Sequence, residues 1–157
     1  LNGHNFMDGL NGFVVGNLLL ILFSMMFILN KYNLNYGIEF ILFIEILVVI
    51  LTIFFIFNIF GLCFLGDNGI YVYSSLVSII IINFVEFSDL KISPILAVAY
   101  LWYPAFENLF SIIRRFKYKL KIYDPDKKHL HTLINSFFIM KFKNSEAHFG
   151  PFLSQVL

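Results

Sequence analysis

Four long stretches almost free of charge dominate this chain: residues 13–29, 38–57, 70–87 and 94–113. The first carries no charge, the second Glu39 and Glu45, the third Glu86, and the fourth Glu107. Each stretch is about 17–20 residues long, or roughly 26–30 Å as helix, which matches the hydrocarbon core of a bilayer. Buried helices of a soluble domain are the competing explanation, but four such segments in 157 residues argue against it. A composition that is 59% hydrophobic and 13% charged points the same way. The expected fold is all-α: a polytopic transmembrane helical bundle with four full spans. Gly150-Pro151 opens one more apolar run, read as the start of a further span.

Charge then orients the spans. The net charge of +1 hides an asymmetry, since only Lys31 and Lys91 precede Arg114. Arg114, Arg115, Lys117, Lys119, Lys121, Lys127 and Lys128 crowd the connector after the fourth stretch. By the positive-inside rule this connector is cytoplasmic, and so are the segment before the first span and the connector 61–69. Lys31 and Lys91 fall on the opposite side. The basic run is thus explained by topology, and no nucleic-acid partner is expected. The single cysteine, Cys63, excludes an intramolecular disulfide and a cysteine-built zinc site. The chain is read as one membrane-embedded domain over 1–157, incomplete at both ends, with a basic and histidine-bearing cytoplasmic loop over 114–148. Within that loop Leu133, Ile134, Phe137 and Phe138 have the spacing of a short interfacial helix.

Three polar stretches fall on the cytoplasmic side, because an even number of crossings separates each from the next. In the first, Asn2, Asn5 and Asp8 recur every three residues and Asp8 is followed by Gly9. Their side chains would converge on a ligand at a helix start, or would serve as ordinary helix caps. The second is Phe64-Leu65-Gly66-Asp67-Asn68-Gly69. Asp67 between glycines presents its oxygens to a hard cation, and Phe64 offers a ring to a flat base. The same residues also make a good turn. The third is Lys127-Lys128-His129-Leu130-His131, a candidate phosphate-binding or proton-donating group that also reads as a solvated basic loop. Glu107 lies about 9 Å from the cytoplasmic end of its apolar stretch, and Glu45 about 18 Å, which puts only Glu107 within reach of a site at the boundary. Glu45 is expected to pair inside the bundle or to be protonated.

Together these stretches resemble the polyprenyl-phosphate N-acetylhexosamine-1-phosphate transferases, glycosyltransferase family 4. That superfamily includes the MurNAc-pentapeptide translocase and the dolichyl-phosphate GlcNAc-1-phosphate transferase. The family pattern is Asn-x-x-Asn-x-x-Asp-Gly, then Phe-(Met/Leu)-Gly-Asp-x-Gly, then a histidine loop. It is matched in order by Asn2 to Gly9, Phe64 to Gly69, and His129 to His131. Pro104-Ala105-Phe106-Glu107 followed by Arg114-Arg115 looks like the bacterial sugar-transferase branch. The sequence departs from the pattern at Asn11, where Asp is common, at Thr132 for His, at Ile70 for Ser, and at Glu107 for Asp. The family's paired aspartates, which lie upstream of the asparagine motif, are absent, so the piece is expected to be inactive alone.

The resemblance implies transfer of a sugar-1-phosphate from a UDP-N-acetylhexosamine to a polyprenyl phosphate such as undecaprenyl phosphate, with release of UMP. That is the initiating step of a lipid-linked cell-envelope glycan such as lipopolysaccharide, and it places the protein in the inner membrane. Asp8, Asp67, His129 and His131 are the implied catalytic residues, with Asp67 and Asp8 holding Mg²⁺, for which Mn²⁺ substitutes. Asn2, Asn5, Gly9, Phe64, Gly66, Lys127, Lys128, Arg114, Arg115 and Glu107 are the implied substrate contacts, with Phe64 stacking on uracil. A homodimer is left open. The alternatives are a transporter or channel subunit using an intramembrane acid, a CDP-alcohol phosphotransferase, and a structural membrane segment.

Overall fold

The computed structural model describes residues 2–5, 7, 10–32, 34, 36–86, 92–117 and 133, and of Asn2 and Asn5 the backbone only. The described chain is all-helical: α1 (Asn2–Asn5), α2 (Phe13–Tyr32), α3 (Ile38–Ile59), α4 (Gly66–Glu86) and α5 (Ile95–Lys117). The last four have 20, 22, 21 and 23 residues, or roughly 30–35 Å of helix each. All four are long and apolar enough to cross a membrane. Helices suit that environment because they satisfy their own backbone hydrogen bonds where no water can.

The helix ends are set by local chemistry. Gly37 precedes α3, and its carbonyl accepts from Phe40 N–H and Ile41 N–H. At the far end of α3, Leu62 N–H reaches the Phe57 carbonyl and Gly61 N–H the Asn58 carbonyl. With Gly61 at φ +69° this is a Schellman stop. Five residues after Gly61, Gly66, at φ +63°, opens α4. The motif expected to lie in a connector therefore supplies the first turn of α4. Likewise α5 continues past the apolar stretch to Lys117, so Arg114 and Arg115 are helical. Charge marks where a helix leaves the hydrocarbon and does not end the helix itself.

Gly12 contacts Asn58, so the start of α2 meets the end of α3. At the opposite end the Tyr36 ring stacks on Phe84 at 5.7 Å, and its hydroxyl donates to the Phe84 carbonyl, which joins the start of α3 to the end of α4. Helices α2, α3 and α4 therefore run antiparallel in turn, and residues 10–12, 58–63 and the Asp67 turn share one end of the bundle. The apolar core lies among α2, α3 and α4, with Leu18, Leu22 and Met25 against Ile44, Leu51, Val77 and Ile81. The outer faces, above all that of α3, present Leu42, Ile46, Val49 and Ile53 as lipid-facing bulk.

Helix α5 is built the other way round. Its buried residues are Pro104, Glu107, Ser111 and Arg114, spaced to lie on one face. Its apolar residues Trp102, Leu109, Ile112 and Phe116 point outward. A helix whose inner face is polar while its outer face is apolar suits a membrane protein with a polar site inside. The small helix α1 packs against both α5 and α4.

Candidate functional site

Helix α1 reaches α5 through a glycine. A Cβ on Gly3 would fall 2.4 Å from the Pro104 carbonyl oxygen, so only glycine permits this approach. Pro104 has no N–H to give the helix, and it is buried at that level. The next residue, His4, is 2% exposed. Burial first, and then the positive charge of the N-terminus, lower its pKa from 6.5 to about 4, while Asn17 of α2 acts in the other direction. His4 is therefore neutral at physiological pH. His4 Nε2 and Asn17 Oδ1 find no hydrogen bond of good geometry among the described residues.

One turn beyond Pro104, Glu107 is 0% exposed. Tyr103, four residues earlier, donates its hydroxyl to Glu107 Oε1 at 2.9 Å. The Tyr103 ring also meets Phe13 edge-on at 5.5 Å, which ties this level of α5 to the start of α2. Arg114 follows on the same face two turns on, is buried, and lies over the Phe110 ring at 5.3 Å. Arg115, beside it, is half-buried. Glu107 is ten residues from the end of α5, about 15 Å, farther than from the end of the apolar stretch. It meets the motif level because α1 descends to Pro104.

In the second motif Leu65 folds over Gly69, its Cγ only 2.9 Å from where a Cβ would stand. This leaves Phe64 70% exposed and Asp67 exposed in the first turn of α4. The space around Gly66 is open. The helix start adds unpaired N–H groups, which favour a phosphate there.

The structure thus brings the asparagine-bearing α1 against α5, which carries Glu107, Arg114 and Arg115, and against α4, which carries Gly66 and Asp67. Asp8, Gly9, Lys127, Lys128, His129 and His131 lie outside the described residues, as does the tail helix apart from Leu133. Glu45 does not turn into the bundle. It is exposed on the outer face of α3, beside the exposed Leu42 and Ile46. Among the described residues no group of three His, Cys, Asp or Glu could hold a metal ion.

Sequence reasoning missed Asn58. It is 6% exposed at the end of α3, accepts from Gly12 N–H at 2.6 Å through Oδ1, and donates to the Cys63 carbonyl at 2.7 Å through Nδ2. The one signal available was an amide closing an otherwise apolar run, Phe57-Asn58-Ile59. His4, Asn17 and Tyr103 were missed as well, because histidine within an asparagine motif and tyrosine in a span both read as background.

Fold and site define a multi-pass helical membrane protein whose last described helix turns a polar face toward a short asparagine-bearing helix. No family model matches the chain, and no curated protein or solved structure matches it.

Proposed function

We propose that this chain forms the membrane-embedded core of a transferase that moves a sugar-1-phosphate from a UDP-N-acetylhexosamine to a polyprenyl phosphate, releasing UMP. The observation that carries this reading is the packing of α1 against both α4 and α5, since each of the three bears a motif residue of the resemblance. The motif-bearing end is assigned to the cytoplasmic face of the inner membrane, where a soluble nucleotide and a lipid phosphate both arrive. The transport reading has less to favour it, because among the described residues the contact zone of α2, α3 and α4 is filled by Leu18, Leu22, Ile44 and Leu51.

In the proposed reaction an oxygen of the polyprenyl phosphate bonds to the sugar-bearing phosphorus. The bond from that phosphorus to the bridging oxygen breaks, and its electron pair leaves on UMP. A phosphate monoester has a second pKa of about 6, so the attacking oxygen needs no general base at neutral pH. The protein's task is then alignment and charge neutralisation. Asp67, exposed in the first turn of α4, suits Mg²⁺, which is held by one or two carboxylates together with substrate phosphates and water. Asp8 would be the second carboxylate, and Mn²⁺ would substitute. Mg²⁺, when bound, neutralises charge on the diphosphate. Phe64 would stack on uracil, and the N–H groups at the start of α4 would orient a phosphate. Arg114, Arg115, Lys127, Lys128, His129 and His131 would add positive charge and donors for the phosphates. Asn2, Asn5, Gly9 and Glu107 would shape the floor of the site.

The test is Asp67→Asn in the complete gene product, with UDP-N-acetylhexosamine, undecaprenyl phosphate and Mg²⁺ supplied. UMP release should fall to background while the protein keeps its folded yield. Turnover near that of the parent, with an unchanged Mg²⁺ requirement, removes Asp67 from the site.

A further inference from the structure

An amide in an apolar setting is destabilising unless both its donor and its acceptor are used. Asn58 uses both, and on groups that have no helix ladder to join. Gly12 N–H sits just before α2, among the donors a helix start leaves over. The Cys63 carbonyl lies in the short link between α3 and α4. Gly12 follows the asparagine motif, and Cys63 immediately precedes Phe64. The two segments are also pressed together. Gly12 has φ +80°, and a Cβ there would stand 3.0 Å from Ile59 Cγ1 and 3.2 Å from Phe55 Cε2. The Asn11 amide stands 3.5 Å from where a Cβ of Gly61 would lie. One buried side chain therefore sets the spacing between the flanks of two motifs that are far apart in sequence.

We propose that Asn58 is a positioning residue that locks the Phe64–Asp67 segment in register with the segment leading from the asparagine motif, so that the sugar nucleotide meets both. The role in binding rests on the transferase reading above. Asn58 itself touches no substrate.

Two substitutions divide the clamp. Asn58→Asp is isosteric: it keeps an acceptor for Gly12 N–H and gives up the donor to the Cys63 carbonyl. Asn58→Leu gives up both. Spin labels on Asn11→Cys and Leu62→Cys, in a Cys63→Ala background of the complete protein, report the spacing without reference to activity. Loss of one buried hydrogen bond predicts a rise of about tenfold in KM for the UDP-sugar in Asn58→Asp, with KM for polyprenyl phosphate moving less than about twofold. The label distance should be narrowly distributed in the parent, broader in Asn58→Asp and broadest in Asn58→Leu. If Asn58→Leu does not fold, Asn58→Asp carries the same comparison. A distribution that stays narrow in the folded variants overturns the clamp. A broadened distribution with both KM values unchanged overturns its positioning role. Absence of UMP release by the complete parent protein would instead sink the transferase reading, while the label distances would still decide whether the clamp exists.

Discussion

Glu107 is fully buried, with Tyr103 holding one of its oxygens, whereas Glu45 stands exposed on the lipid-facing side of α3. Their neighbours give the two acids different work. Glu107 shares a helix face with Arg114 and lies one turn from the Pro104 surface that α1 covers. On the transferase reading, replacing this acid should disturb the site, and Glu107→Gln is expected to lower turnover about 10–100-fold, the scale of one buried hydrogen bond. Glu45 faces the bilayer, where an acid near the centre of a span costs about 3 kcal/mol on insertion scales. Glu45→Gln should therefore raise expression or thermal stability and, on the transferase reading, leave turnover per folded protein unchanged. Turnover measured in detergent at saturating Mg²⁺ decides the matter. A dead Glu45→Gln beside a normal Glu107→Gln would move the site elsewhere. In the sequence both acids were visible as charges in apolar runs. Which of them faces inward depends on how α3 and α5 are rotated, and an apolar stretch with lipid on one side and protein on the other does not encode that rotation strongly.

Among the elements, α1 has the least intrinsic stability. Four residues cannot hold a helix in water, so its structure depends on docking. The contacts that dock it are the Gly3 approach to Pro104 and the burial of His4. The second of these makes the docking sensitive to acid. Folded His4 takes its proton only near pH 4, whereas the unfolded chain takes one near 6.5. Below pH 6.5 the unfolded state binds a proton that the folded state refuses. The stabilisation is complete above that pH and is lost as pH falls toward 4, by up to about 3 kcal/mol. The thermal stability of the parent should therefore fall between pH 7 and 4.5, and that of His4→Gln should fall less over the same interval. Equal slopes would mean that His4 does not report on the docking of α1. Helix α4 teaches a related point. Phe64 to Gly69 reads as a turn because Gly-Asp-Asn-Gly is good turn chemistry, and it becomes a helix start because Gly66 adopts a positive φ and Leu65 packs over Gly69.

For the molecule as a whole, antiparallel order follows from the Gly12–Asn58 contact at one end and the Tyr36–Phe84 contact at the other. Combined with the basic run after α5, it predicts a labelling pattern. In a Cys63→Ser background, Asn68→Cys and Lys121→Cys should react with an impermeant maleimide from the cytoplasmic side only, and Asn33→Cys and Ser88→Cys from the opposite side only. Reaction of positions 68 and 121 from opposite faces would abolish a shared site. The sequence by itself determined the four long apolar helices, because the hydrophobic effect and the need to satisfy the backbone in lipid act on each apolar run independently of its neighbours. Only the tertiary structure decided the rest: that α1 descends to Pro104, that α5 turns its polar face inward, that Glu45 looks outward, and that Asn58 joins Gly12 to Cys63. Each of these is a contact between segments far apart in the chain, made by shape and by hydrogen bonds to backbone groups, and backbone groups are the same at every position and leave no mark in the order of residues.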